Sequence, residues 1–498
     1  MKNIKYIVLV LCCCLTFSNI NAQLATNALR YAQIQLGGGT ARTMGVGGGL
    51  GALGADFSVL STNPAGLASF RSSEFTISPA YFTTTTSSTL VGTGNIASST
   101  DATKFHLNNW GFVFAYRPKN GKGDWKTFNL GFGVNRFGNN DQEFSYSGDS
   151  KGSIVQSFTE LAQNKTIAQL NPFGTSLALE TGAIYNPKNE TTVYTNDFQG
   201  ANADNNVRKS QIVVNTGKMQ EFVVSLAGNY KEKVQIGATI AFPKSEATTQ
   251  SIYSESDFIG KNPAFNSLSF RDSLSAVTSN FRSLTAKLGA IYKVSNKLRI
   301  GLALHSPTTW TVEEAYINSL TYEYTENGKN YKTPSTSPDG SYNYKVVSPA
   351  RVIGSIGYVA GKSGFLSADI EYIDYTKTQF KFADIDSKSY ENQLNAEIKS
   401  TFKPAVNVRL GGELAFGVLR LRGGLGLYSA ALLNDKTVSK VYSGGIGFRE
   451  DNFFVDFAAQ VGKSRTGYAP YSVVNAPVQQ VNNDVSNIQY VMTFGFKF

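Results

Sequence analysis

From about Glu74 to the C-terminus, apolar or aromatic residues recur at every second position, the period of a strand with two unlike faces. The last segment is the clearest. Ile488, Tyr490, Met492, Phe494, Phe496 and Phe498 share one face, and Gln489, Thr493, Gly495 and Lys497 share the other. Similar apolar faces are Trp110, Phe112, Phe114, Tyr116; Phe128, Leu130, Phe132, Val134; and Leu366, Ala368, Ile370, Tyr372. Opposite such faces stand small, polar or charged residues, among them Asp369, Glu371, Asn407, Arg409, Arg420 and Arg422. Fourteen segments of this kind start near residues 74, 104, 126, 219, 233, 279, 297, 348, 364, 401, 418, 438, 452 and 486. Tight polar turns alternate with long connections, the latter near 139 to 218, 244 to 278, 313 to 343, 376 to 400 and 462 to 485. A soluble sandwich has no cause for that rhythm, whereas a membrane barrel has short turns at its periplasmic rim and long loops at the other. Lipid gives backbone N–H and C=O groups no partners, so a spanning sheet must close on itself. The pattern predicts an all-β fold over residues 74 to 498, a transmembrane antiparallel β-barrel of about 14 strands with both ends at the periplasmic rim.

The first residues read differently. Lys2 and Lys5 precede an apolar stretch from Tyr6 to Phe17, followed by Ser18-Asn-Ile-Asn-Ala22, which predicts a secretory signal peptide over residues 1 to 22. Its removal takes two lysines from a formal charge of +10, leaving +8. It also removes Cys12, Cys13 and Cys14, all 3 cysteines of the chain, so disulfides and thiolate chemistry drop out together. The surplus of positive charge is diffuse, with no basic run to suggest nucleic acid, and it suits contact with anionic lipid headgroups or an anionic ligand. With 2 histidines, His106 and His305, on different predicted strands, neither a metal site nor a cofactor pocket is expected. Two enzyme-like strings also occur. Gly49 to Gly54 fits G-x-G-x-x-G but lacks its βαβ setting, and Gly148 to Gly152 fits G-x-S-x-G without a parallel sheet behind it. No catalytic residue is assigned, and the chain is read as a non-enzyme.

Between leader and first strand, residues 23 to 73 hold Leu36-Gly-Gly-Gly-Thr-Ala-Arg-Thr-Met-Gly-Val-Gly-Gly-Gly-Leu-Gly-Ala-Leu-Gly-Ala-Asp56, then Asn63-Pro64-Ala65-Gly66-Leu67-Ala68. So much glycine costs too much chain entropy for a free-standing fold and suits backbone packed inside a container. A Gly/Ala-rich N-terminal segment, Asp56, the Asn63-Pro64-Ala65-Gly66 block and at once the first strand resemble the FadL/TodX family of outer-membrane transporters of hydrophobic compounds. The resemblance covers nearly the whole mature chain.

It implies that residues 23 to 73 form a plug in the lumen, with Asn63, Pro64, Ala65 and Gly66 as its gating motif. It implies passive uptake of hydrophobic small molecules such as long-chain fatty acids or aromatic hydrocarbons, captured at extracellular loops and released sideways at a kink in the third strand. Gly131, Gly133 and Gly138 are the kink candidates in that strand, Lys126 to Gly138. A Gram-negative outer membrane is implied too, with the strand ending at Phe498 read by the barrel-assembly machinery. In the 139 to 218 connection, Ile154, Val155, Phe158, Leu161 and Ala162 fall on one helical face, and a second helix is expected from about Pro172 to Tyr185. Phe158 and Leu161 are therefore candidates for ligand capture, with mutual packing of the helices as the alternative. Arg409, Arg420 and Arg422 are lumen candidates for holding a carboxylate, with pairing to Glu413, Asp369 and Glu371 as theirs. A second functional class stays open: a barrel subunit of a secretion or assembly complex that docks partners through its long loops. A general diffusion porin fits less well, because of the plug.

Overall fold

The structure is a computed structural model. It describes residues 22–33, 38–92, 94–118, 123–187, 190–199, 206–257, 260, 262, 264–278, 281–383, 388–474 and 478–498. Apart from Ala22, the expected leader lies outside the described residues.

The alternating segments form one antiparallel sheet closed into a ring of 14 staves. They are β1 (Glu74–Leu90), β2 (Ser98–Tyr116), β3 (Trp125–Asn139, continued by Gln142–Lys151), β4 (Asn206–Tyr230), β5 (Val234–Ser256) and β6 (Phe265–Thr278 with Thr285–Lys293). Next come β7 (Leu298–His305 with Thr308–Glu326), β8 (Lys329–Thr336, Gly340–Ser348 and Arg351–Val359) and β9 (Gly364–Asp374 with Gln379–Lys381). The ring is completed by β10 (Pro404–Phe416), β11 (Leu419–Ser429), β12 (Val438–Arg449), β13 (Phe453–Tyr468) and β14 (Val481–Lys497). Closure is the pairing of β1 with β14, running from Glu74 opposite Lys497 to Leu90 opposite Val481. Every other neighbour in the ring is adjacent in sequence, as short antiparallel connections require.

The outward faces are apolar and bare. Leu226 is 62% exposed, Leu366 65% and Phe416 59%, and Leu288, Ile240, Ile370 and Tyr442 share that exposure around the ring. An apolar belt on this scale is stable only against lipid, and closure leaves it no unpaired edge. None of the described helices is long and apolar enough to cross a membrane.

Stave starts agree with the alternation to within a few residues at the short-turn rim. At the other rim the staves run further than expected, with β5 reaching Ser256 and β7 reaching Glu326, so much of the expected loop sequence is sheet. The Ser/Thr-rich extensions have no lipid-facing apolar set to mark them, yet they keep their ladders, as in β7 from Thr308 to Glu326. Helices cap that rim: α5 (Ile154–Ala162), α6 (Thr175–Glu180) and α7 (Lys388–Thr401), numbered after α1 (Ala22–Asn27), α2 (Leu29–Ala32), α3 (Ala41–Gly45) and α4 (Val59–Thr62). Of these, α6 is shorter than the helix expected over 172 to 185. An Asn171 turn, in which Phe173 N donates to Asn171 Oδ1 over 2.8 Å, delays its start, and Gly182 at φ 80° ends it.

Candidate functional site

Residues 38 to 70 are held from every side of the ring by inward side chains. On β2, Asn108 Nδ2 donates to Gly39 O at 2.6 Å; on β3, Asn129 Nδ2 donates to Leu67 O at 2.7 Å and Asn135 Nδ2 to Ser61 Oγ at 2.7 Å. Lys287 Nζ of β6 donates to Ser61 O at 3.1 Å, and His305 Nε2 of β7 to Thr62 O at 2.7 Å. Across the lumen, Gly51 N donates to Asp369 of β9 at 3.2 Å, and Ala41 N to Thr493 Oγ1 of β14 at 2.7 Å. A glycine-rich strand-free segment leaves many backbone groups without ladder partners, and these polar wall residues supply them.

Within the segment, Asp56 is the organiser. Its carboxylate accepts from Thr40 Oγ1 at 2.7 Å, Thr43 Oγ1 at 2.8 Å and Ser58 N at 2.9 Å, while Thr40 caps α3 by accepting from Thr43 N. Asn63 caps the 3-10 turn Pro64–Ser69: its Oδ1 accepts from Ala65 N at 3.2 Å and its Nδ2 donates to Gly51 O at 2.6 Å. Pro64 follows in the first position of that turn, where its missing N–H costs nothing. Gly66 crosses Gly54 so closely that a Cβ on it would lie 2.9 Å from the Gly54 Cα. The wall behind the block is cut away to match. A Cβ at Gly237 would overlap the Pro64 carbonyl, and one at Gly289 the Asn63 Oδ1.

Ion pairs line the wall on the opposite side. Arg409 is fully buried, bonded through Nη1 to Glu371 Oε2 at 2.8 Å, with Asp369 3.9 Å from its Nε. Arg422 bridges Glu413 and Asp456, each at 2.7 Å, and Arg42 of the N-terminal segment reaches Glu413 at 3.5 Å. Arg420 is partly exposed near the short-turn rim, giving Gly417 O a bond of 2.6 Å and standing 3.8 Å from Glu413. The three arginines singled out from the sequence thus face inward and sit beside carboxylates.

A break in the wall stands next to β2. Backbone pairing of β2 with β3 runs from Tyr116 opposite Phe128 only as far as Asn109 opposite Asn135. Beyond it, Ser98 to Leu107 pair with β1 alone among the described residues, and the second part of β3 pairs with β4. That second part leaves the wall and crosses the inner face of β1: Thr84 Oγ1 donates to Asp141 O at 2.9 Å and Gln142 Nε2 to Thr86 Oγ1 at 3.2 Å. The departure begins at a bulge between Arg136 and Gly138. Of the three glycines proposed for a kink, Gly138 is at this bulge. Gly131 lies below it against Leu60, where a Cβ would come within 2.8 Å of the leucine, and a Cβ at Gly133 would overlap the Trp110 carbonyl.

Behind the break lies a cavity of about 600 Å³. Arg136 to Asn140 and His106 border it at the break, Leu29 and Arg30 of α2 form one wall, and Phe82, Met219, Val441 and Gln489 line it further in. Apolar and polar groups are mixed along its length.

Above the barrel, Phe158 is buried with Ile154, Val155, Leu177, Phe265 and Tyr322, meeting Phe270 edge-on at 5.8 Å between ring centres. Leu161 is half-buried on the next turn. The apolar face of α5 is thus packed on its own neighbours, the blander of the two expectations. Sequence reasoning missed α7, although Tyr390, Leu394, Ile398 and Phe402 repeat every fourth residue. Leu394 and Ile398 bury against Ala25, Ala28 and Tyr31, so this loop helix packs on α1 and α2. Its Glu391 accepts from Phe382 N at 2.9 Å and from Lys388, and the Lys388 bond holds its carboxyl below the usual range. The described residues hold no cluster of His, Cys, Asp and Glu fit for a metal.

The sequence matches no protein-family model and no curated protein. Solved structures do match. A crystal structure of the toluene transporter TodX from P. putida superposes with a TM-score of 0.53 at 12% identity, covering 93% of this chain and 99% of that one. A second P. putida TodX structure gives 0.51 at 14% identity, with the same 93% and 99% coverage. The toluene transporter TbuX of Ralstonia pickettii gives 0.48 at 13% identity, again over 93% and 99%. From its first stave to its last, the chain has the fold of TodX.

Proposed function

We propose that this chain is an outer-membrane channel of the FadL/TodX kind, which admits hydrophobic small molecules passively across the outer membrane of a Gram-negative bacterium. One observation carries the reading: a lumen cavity of about 600 Å³ borders the place where β2 and β3 stop pairing. A solute in that cavity has a sideways route to lipid that avoids the polar lumen below. The mixed lining favours a molecule with an apolar body and one polar end, such as a long-chain fatty acid, over a plain hydrocarbon. Residues 23 to 73 serve as the plug, and Asn63, Pro64, Ala65 and Gly66 set how firmly it seats. The arginine and carboxylate clusters brace that seat, while Arg136 and Arg30, which line the cavity, meet the polar end of the ligand. Phe158 and Leu161 contribute to capture by fixing the shape of the outer mouth. The strand ending at Phe498 is the segment read by the assembly machinery.

The test is uptake of a labelled long-chain fatty acid, and separately of toluene, by a deletion strain complemented with the wild type or with Asn63→Ala plus Pro64→Ala. Uptake lost on deletion, restored by the wild type and altered in the double variant at equal outer-membrane levels is expected. Unchanged uptake of both compounds in every strain overturns the reading.

A further inference from the structure

On the lipid side of the barrel, behind the wall that seats Asn63 and Pro64, the outward row is interrupted. Gly228 of β4 stands between Phe128 and Ile236 in register, and Ala238 of β5 stands between Leu226 and Leu288. Large residues thus alternate with the two small ones across four staves, leaving an apolar trough of about 540 Å³. Trp125 closes its lower end, its ring so near Gly228 that a Cβ there would come within 2.8 Å. The turns just below the trough are basic. Lys231 pairs with Asp124 at 3.4 Å and Lys293 with Glu232 at 3.4 Å, while Lys233 and Lys297 have no carboxylate partner among the described residues. Two net cations therefore stand at the rim, with Lys233 three residues before Ile236 of the trough lining.

We infer that this trough and rim form a specific site for an anionic phospholipid of the periplasmic leaflet, with a chain over Gly228 and Ala238 and the phosphate at the rim beside Lys233 and Lys297, the two lysines left without a carboxylate. The apolar floor supplies area without selectivity, and the lysines add preference for negative charge. Occupancy stiffens the thin wall of β4 to β6 against which the Asn-Pro-Ala-Gly block rests.

The test uses full-length protein in detergent carrying Trp110→Phe, with Trp310, buried in the lumen, subtracted through a Trp110→Phe plus Trp125→Phe control. Trp125 fluorescence is titrated with dibrominated phosphatidylglycerol and with dibrominated phosphatidylcholine. Half-quenching by the anionic lipid at a roughly five-fold lower mole fraction is expected. Lys233→Gln with Lys297→Gln brings the two curves together, and Ala238→Phe, which fills the floor, weakens quenching by both lipids. Coincident curves in the unmodified lysine background, a preference that survives the lysine changes, or quenching untouched by the filled floor overturns the site and leaves ordinary annular lipid.

Discussion

Asn63 and Gly289 meet face to face across the boundary between segment and wall: a side chain on 289 has no space that the Asn63 carboxamide does not already fill. Pro64 stands in the same relation to Gly237. The fit has two halves, one in each part of the chain, and only one of them carries a recognisable motif.

Gly289→Val should therefore unseat the block while the barrel still assembles. Overpacking of this kind costs roughly 1–3 kcal/mol. Limited trypsin digestion of folded protein should then cut at Arg42, which its partners now keep nearly buried; an uncut Gly289→Val protein contradicts this.

Asp56→Ala removes the acceptor for Thr40, Thr43 and Ser58 at once. Each buried donor left without a partner costs about 1–3 kcal/mol. The residues around α3 should exchange amide hydrogen faster, with β1 to β14 ladders unaffected, as read by mass spectrometry.

Lys287 and Glu221 form a buried pair on β6 and β4. Glu221→Gln strands the lysine and should destabilise the barrel by roughly 3–5 kcal/mol, whereas Lys287→Met with Glu221→Leu should recover most of it. Thermal unfolding followed by heat-modifiable gel mobility checks both; equal melting of single and double variants would contradict it.

Deleting Phe137, the extra residue at the bulge between Arg136 and Gly138, straightens β3 against β4. The expected outcome is a folded barrel with at least ten-fold slower uptake, about 1.4 kcal/mol in barrier. Wild-type uptake through the straightened stave would remove the break from the route.

Glu391 titrates below its unfolded value of about 4.3. Its contribution to docking α7 is complete above that pH and is lost as pH falls through the lower folded value. Hydrogen-exchange protection of Lys388 to Thr401, relative to the intrinsic rate at each pH, should fall on acidification toward pH 3, and Lys388→Gln should move that fall to higher pH.

The staves were legible because lipid enforces a strict two-residue period where it touches the sheet, as in Phe128 to Val134 and Leu366 to Tyr372. Once β5 and β7 leave the lipid, the outward face loses its apolar set, and runs such as Thr248-Thr249-Gln250 look like loop although their ladders continue. The Asn63 block was legible as sequence, but its sockets were not: glycine at 237 and 289 reads as ordinary strand curvature until the opposing atoms are placed. Gly138 lay at the bulge, yet what makes the break is the crossing of Asp141 and Gln142 over β1, a contact between residues more than fifty positions apart. The arginines illustrate the same limit. Alternation pointed them inward without revealing which carboxylates they meet.

The seam between Glu74 and Lys497 also constrains the order of biogenesis. The N-terminal segment leads directly into the stave that closes the cylinder, and polar hooks grip it from β2 around to β14. A cylinder sewn shut while empty would have to draw that thread back through an interior already knotted with ion pairs. Folding the thread first, as a mandrel on which the last seam is laid, avoids the obstacle and gives the glycine sockets a role before any solute arrives.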